Sequence, residues 1–206
     1  MSPEDLLNQA LIEIGYERRI GDIYEGSPAA AIGLEIYAQT RDEVLRHDDW
    51  PFARKTAPLS LVKAAVVPPV VLWDETSPPP PWMFSYVYPS DCIYLRYLRF
   101  DPLGFGGGDP LEPIPIRFAI VSDLSAPGQP AAKTILANLP SALAIYTSRI
   151  TDPLQWEPLF LSGFVKALAA KFVLRLGRVQ QGQPEFAKEK AGEIGVLIAE
   201  AGVRQG

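Results

Sequence analysis

Leu6, Leu7, Ala10, Leu11 and Ile14 recur at helical spacing near the start of the chain. Ser2-Pro3-Glu4-Asp5 precedes them with a start signal: a hydroxyl at the N-cap, proline at the first helical position, acids in the first turn. Gly15 is expected to end that helix. Tyr16 to Gly26 reads as a loop, and Ser27-Pro28 repeats the start signal. A second helix is predicted to about Asp48, with Leu34, Tyr37, Arg41 and Val44 on its apolar face. Trp50-Pro51 stops it, because proline pushes the preceding residue out of the α region.

From Lys55 to about Ile150 the pattern changes to short β-prone runs broken by turn residues. Leu59, Leu61 and the run from Val66 to Leu72 are β-prone, and Pro78 to Pro81 reads as stiff polyproline. Trp82, Phe84, Tyr86 and Tyr88 alternate with Met83, Ser85 and Val87, which predicts a strand with one aromatic face. Tyr88 to Asp91 is a turn. Ile93 to Phe100 is a second alternating strand, with Ile93, Leu95, Tyr97 and Arg99 on one side. Gly104 to Pro110 is a glycine-rich tip, and Ile114–Val121, Lys133–Ala137 and Ala142–Ile150 complete the strands.

Helical spacing returns after Thr151-Asp152-Pro153, where Leu159, Phe160, Phe164, Leu168 and Phe172 form a stripe that continues to about Leu176. Gly177 and Gly182 bracket a break. Pro184 opens a last helix with Phe186, Ile194, Leu197, Ile198 and Ala201 on one face. The expected class is α+β. Helices from 1–54 and 151–206 form one bundle, and 55–150 is inserted as an antiparallel β-sandwich or barrel.

Composition narrows the chemistry. Of 206 residues about half are apolar and a fifth charged, an ordinary globular balance, with 21 prolines as the outlier. The net charge of −5 lies in the first quarter, where residues 1–54 carry 11 acidic against 5 basic groups. No cluster of Lys and Arg offers the counterion release that tight nucleic-acid binding needs. Cys92 and His47 are the only residues of their kinds, so an intrachain disulfide is impossible and a Cys/His zinc site lacks ligands. The start, acidic and polar, is not a signal peptide, and the apolar runs are too short or broken for a bilayer. A chain kept in the cytoplasm, or in a particle assembled there, is expected.

Each candidate site has a plainer reading. The glycines at 104 and 106–108 are followed by Pro110 and a strand rather than a helix, which suits a hairpin tip better than a phosphate loop. His47 sits at a helix end, where a cation caps the dipole. Cys92 suits a small buried hydrophobe. The adjacent acids Asp48/Asp49 and Asp74/Glu75 suit solvated surface better than a glycosidase pair. The aromatics around Trp82 to Tyr97 suit a sheet core or a subunit contact better than a base-stacking platform. Arg41 lies on the apolar stripe of helix two and is either held by a carboxylate or snorkels to water. No catalytic set, metal or cofactor is expected.

Several segments taken in order resemble a known family. They are Ile23-Tyr24-Glu25-Gly26-Ser27-Pro28-Ala29-Ala30, Thr40-Arg41-Asp42-Glu43-Val44-Leu45, Trp50-Pro51-Phe52-Ala53-Arg54, Tyr86, Tyr88-Pro89-Ser90-Asp91-Cys92, Ile145-Tyr146-Thr147, Ile150-Thr151-Asp152-Pro153 and Trp156-Glu157-Pro158-Leu159-Phe160. Together they resemble phage tail tubular protein A over nearly the whole chain, while the Pro68–Pro81 insert and the glycine-rich tip are less typical. The resemblance implies a non-enzymatic head-to-tail adaptor of a short-tailed bacteriophage. Such an adaptor forms a ring, usually of twelve copies, between the portal and a tubular-protein-B-like nozzle. It resides in the virion, is assembled in host cytoplasm, and lets DNA pass through its channel without sequence-specific binding. An acidic channel wall would repel the DNA and let it slide. The alternative is a virion-associated peptidoglycan hydrolase. The expected structural or interface residues are Tyr24, Glu25, Arg41, Asp42, Trp50, Phe52, Arg54, Tyr88, Asp91, Asp152 and Trp156. Phe186, Ile194, Leu197 and Ile198 are the candidates for docking the portal. The Tyr24–Pro28 loop, Arg41 with Asp42, and the Trp50–Arg54 corner are expected to form one site, with Trp50 and Phe52 at the bundle–sheet junction.

Overall fold

A computed structural model describes residues 1–65, 78–100, 116–123 and 132–179. The predicted Val66–Leu72 strand, the Asp74/Glu75 pair, the glycine-rich tip and the last helix with its portal-docking candidates lie outside the described residues. The described chain is α+β, with three helices and two antiparallel sheets. It divides into two compact units, one of Met1–Ala53 with the chain from Arg149, the other of Arg54–Ser148.

In the first unit, α1 spans Pro3–Glu13 and opens on a complete capping box. The Ser2 backbone N–H donates to Asp5 Oδ2 at 2.7 Å, and the Asp5 N–H donates to Ser2 Oγ at 3.2 Å. Gly15 takes φ +72° just past the end, a left-handed conformation that glycine adopts without strain. Helix α2 spans Pro28–His47, with Ser27 as its N-cap. Its buried face differs from the predicted one: Ala29, Ala30, Gly33, Ile36, Thr40, Arg41 and Leu45 are buried, whereas Leu34 is exposed. The reason is steric. A Cβ on Gly33 would come within 2.9 Å of the Leu7 side chain and 3.5 Å of the Phe172 ring, so the helices meet through small residues that the bulky-residue pattern does not count. Helix α3, Pro158–Val179, packs on both α1 and α2. Phe160, Phe164, Leu168 and Phe172 are fully buried as the stripe predicts, but Leu159 is exposed, and the helix continues through Gly177.

In the second unit, β1 (Arg54–Pro58), β7 (Ala142–Ser148) and β4 (Cys92–Phe100) form one sheet in the order β1-β7-β4. Strands β2 (Leu61–Ala64), β3 (Phe84–Val87), β6 (Ala132–Ala137) and β5 (Phe118–Asp123) form the other, in the order β2-β3-β6-β5. Neither sheet closes into a barrel, which corrects that half of the expectation. Tyr86, Ile135 and Ala137 from one sheet and Leu95, Leu98, Ala144 and Tyr146 from the other share one core, and the Tyr86 hydroxyl donates to the Leu139 carbonyl within it.

Strand β4 departs from strict alternation. Cys92, Leu95 and Leu98 are buried, because irregularities between Cys92 and Tyr94 and between Leu95 and Tyr97 each shift the register against β7. Strand β1 has no alternating pattern of its own and is placed by pairing with β7, every residue of which is buried. The end of the proline run turns, closed by the Trp82 N–H donating to the Pro79 carbonyl at 3.1 Å, rather than continuing as an extended rod.

Candidate functional site

The residues singled out in the helical unit fall into three groups rather than one. The first is aromatic. Past the end of α2, Pro51–Ala53 makes a 3-10 turn that leaves Trp50 buried. The Trp50 ring meets Phe160 edge-on at 5.2 Å, and Phe52 meets the same ring at 5.2 Å. Trp156 closes on Phe160 at 5.0 Å and on Phe164 at 5.2 Å, and Tyr37 meets Phe164 at 5.2 Å. Edge-to-face contacts at these separations suit the ring quadrupole. Each indole N–H is satisfied by a carbonyl six residues earlier: Trp50 donates to Val44 at 2.9 Å and Trp156 to Ile150 at 3.1 Å. Trp50 and Phe52 both pack on Phe160 of α3. The Tyr37 hydroxyl is buried without a hydrogen-bond partner, and burial pushes its pKa up to about 12.

The second group is ionic. Arg41 is buried and donates through Nε at 2.9 Å and Nη2 at 2.7 Å to one oxygen of Asp42. The other Asp42 oxygen accepts from Arg149 Nε at 2.9 Å. One carboxylate thus holds two guanidiniums, and Arg41 is paired inside its own chain. Arg149 carried no signal in the sequence, since only folding brings it 107 positions back to Asp42.

The third group is the loop before α2. Glu25 accepts from the Gly21 N–H at 2.8 Å and from the Ser27 hydroxyl at 2.5 Å, and Ser27 Oγ accepts from the Ala30 N–H at 3.3 Å. The Ser27 bond holds the Glu25 carboxyl below its ordinary value of 4.5, with the Gly21 N–H adding to it. These bonds close the loop on itself and leave Tyr24 78% exposed. Asp152 similarly caps a short turn by accepting from the Leu154 N–H at 2.9 Å, and Leu154 is also 78% exposed.

In the β-unit, Asp91 accepts from Lys55 Nζ at 2.7 Å and from the Tyr146 hydroxyl at 3.0 Å. Partial burial alone would raise the Asp91 pKa, but the two hydrogen bonds outweigh it and hold the carboxyl below 3.8. Tyr88 accepts a thiol hydrogen bond from Cys92 at 3.2 Å, and burial pushes the Cys92 thiol up. Arg54 opens β1 with its side chain exposed. Lys55 and Tyr146 were not singled out beforehand as partners of Asp91, because their pairing depends on β1 and β7 lying side by side.

The chemistry of these groups is structural: ring packing, turn capping and ion pairing. Exposed His47 ends α2, its Nδ1 3.8 Å from Asp48. Among the described residues no three of His, Cys, Asp or Glu are grouped to hold a metal, and no helix is long and apolar enough to cross a membrane. No protein-family model matches this chain, and no curated protein matches it in sequence.

Proposed function

We propose that this chain is a structural adaptor of a tailed-phage connector, assembling as a ring between a portal and a tail nozzle around the DNA channel. In this reading the helical bundle carries an inserted β-sandwich, and the ring contacts are heterologous and cyclic. The observation that carries it is what the resembling segments do. Glu25-Gly26-Ser27 ties the turn before α2, Trp50-Pro51-Phe52 and Trp156 pack on Phe160, Arg41-Asp42 pairs inside the chain with Arg149, and Tyr24 and Leu154 face solvent on short turns held by Glu25 and Asp152. Rigid turns that present large apolar side chains are suited to contacts between subunits. The −5 charge of the chain supports the lining of a channel through which DNA slides.

The test is electron microscopy of the purified chain mixed with portal rings. A second ring of density stacked on the portal is expected. Particles identical to portal alone would refute the adaptor role, and a cleared band on a peptidoglycan zymogram would replace it with the hydrolase reading.

A further inference from the structure

In the helical unit Lys171 and Arg175 of α3 each meet an acid of their own: Lys171 Nζ pairs with Glu43 at 2.5 Å and Arg175 Nη1 with Glu35 at 2.9 Å. The cluster around Asp42 breaks that ratio. Arg41 reaches one oxygen of Asp42 and Arg149 reaches the other, so two guanidiniums share a single carboxylate. Asp152 follows Arg149 closely in the chain, but its carboxylate accepts from the Leu154 N–H and is bonded to neither guanidinium. One positive charge is therefore left over, and it sits where charge is costly. The side chain of Arg41 is 11% exposed, that of Asp42 28% and that of Arg149 46%. A desolvated cation needs an opposite charge beside it.

The unspent donors agree with the charge. Asp42 takes the Nε hydrogen of Arg41, one hydrogen of its Nη2, and the Nε hydrogen of Arg149. Arg41 Nη1 and both terminal nitrogens of Arg149 have no acceptor among the described residues. The buried polar atoms that lack a partner include none from Arg41, so its remaining donors open to solvent. A guanidinium is a rigid planar fork whose donors match the oxygens of a carboxylate or a phosphate. Asp42 occupies the Nε side of both forks and fixes where they stand. Their terminal nitrogens remain for a second oxyanion. A tetrahedral phosphate offers oxygens in more directions than a planar carboxylate and is better suited to reach two forks at once.

We propose that Arg41 and Arg149 form a binding site for a phosphate-type oxyanion, with Asp42 positioning both guanidiniums. The anion accepts from Arg41 Nη1 and from the terminal nitrogens of Arg149, and it offsets the surplus positive charge. The site does not depend on the adaptor role, and either reading can fail without the other.

The experiment titrates inorganic phosphate into the full chain at constant ionic strength, with chloride as the balancing anion, and follows the Nε–H signals of Arg41 and Arg149 by NMR. Both signals should shift along one saturable curve. Arg149→Gln, at a position 46% exposed, is expected to fold and to bind phosphate at least about tenfold more weakly, because one fork of the site is gone. Signals that do not move, or equal affinity in Arg149→Gln, would overturn the site. Acetate should bind more weakly than phosphate, and tighter binding of acetate would refute the phosphate assignment. Melting curves give a second readout. Asp42→Asn leaves both guanidiniums without their carboxylate, so phosphate should raise its melting temperature more than the parent's, and the parent's more than that of Arg149→Gln. An equal rise in all three would be the general stabilising action of phosphate on folded proteins, and the site would be refuted.

Discussion

Phe160 is the residue on which the helical unit turns, because its ring contacts Trp50, Phe52, Trp156 and Phe164. Phe160→Ala should cost about 3–5 kcal/mol, since it opens a cavity that four rings cannot fill together. Urea denaturation followed by tryptophan fluorescence measures this, and an unchanged midpoint would show that the rings are not packed. Tyr37 makes the opposite prediction. Its hydroxyl is buried without a partner, so Tyr37→Phe should stabilise the protein by about 1 kcal/mol. Its pKa is raised from 10.0 to about 12 on folding. The stability tied to the neutral phenol is therefore complete below pH 10 and lost as pH rises towards 12. Melting curves across that range should fall more steeply for the parent than for Tyr37→Phe, and parallel curves would count against a buried phenol.

At the scale of elements, the capping signals at Ser2 and Ser27 read directly from the chain because a cap depends on residues only three positions apart. The face of α2 did not, because it depends on what lies opposite. Gly33→Ala tests that point. Alanine favours the helix by about 1 kcal/mol. Its methyl would press on fully buried Leu7, and overpacking of this kind costs about 1–3 kcal/mol. A net loss near 1 kcal/mol is expected in chemical denaturation, whereas a net gain would mean that α1 yields freely. In the sheets, Asp91 ties the turn before β4 to Lys55 on β1 and Tyr146 on β7. Because its pKa is lowered on folding, its contribution is present above its ordinary value of 3.8 and lost as pH falls through the folded value. Acid unfolding below about pH 4 should be shallower for Asp91→Asn than for the parent. Identical acid limbs would show that the pin contributes nothing.

For the whole molecule, the adaptor proposal places Tyr24 and Leu154 at contacts between subunits or with the portal. Both side chains are 78% exposed, so replacing them removes little packing within the chain. Tyr24→Asp and Leu154→Asp should leave the melting temperature within the roughly 0.5 kcal/mol band of surface changes. They should also weaken association with portal rings at least about tenfold, since a buried unpaired carboxylate is costly. Sedimentation of portal mixtures checks this. Undiminished binding by both variants would move the contact surface elsewhere on the molecule.

What the sequence by itself determined is local: the helix starts at Ser2 and Ser27, the stop at Trp50-Pro51, the stripe from Phe160 to Phe172, and the change to short strands after Arg54. Each follows from backbone preferences and from periodicity over a few turns, which neighbours along the chain suffice to express. The tertiary structure decided everything that joins distant residues. It chose small residues for the buried side of α2, shifted β4 twice in register, and paired the signal-poor strand β1 with the fully buried β7. It also brought Arg149 to Asp42 and Lys55 with Tyr146 to Asp91. These are choices of complementary shape and charge between elements far apart in the chain, and no single segment contains both halves of the match.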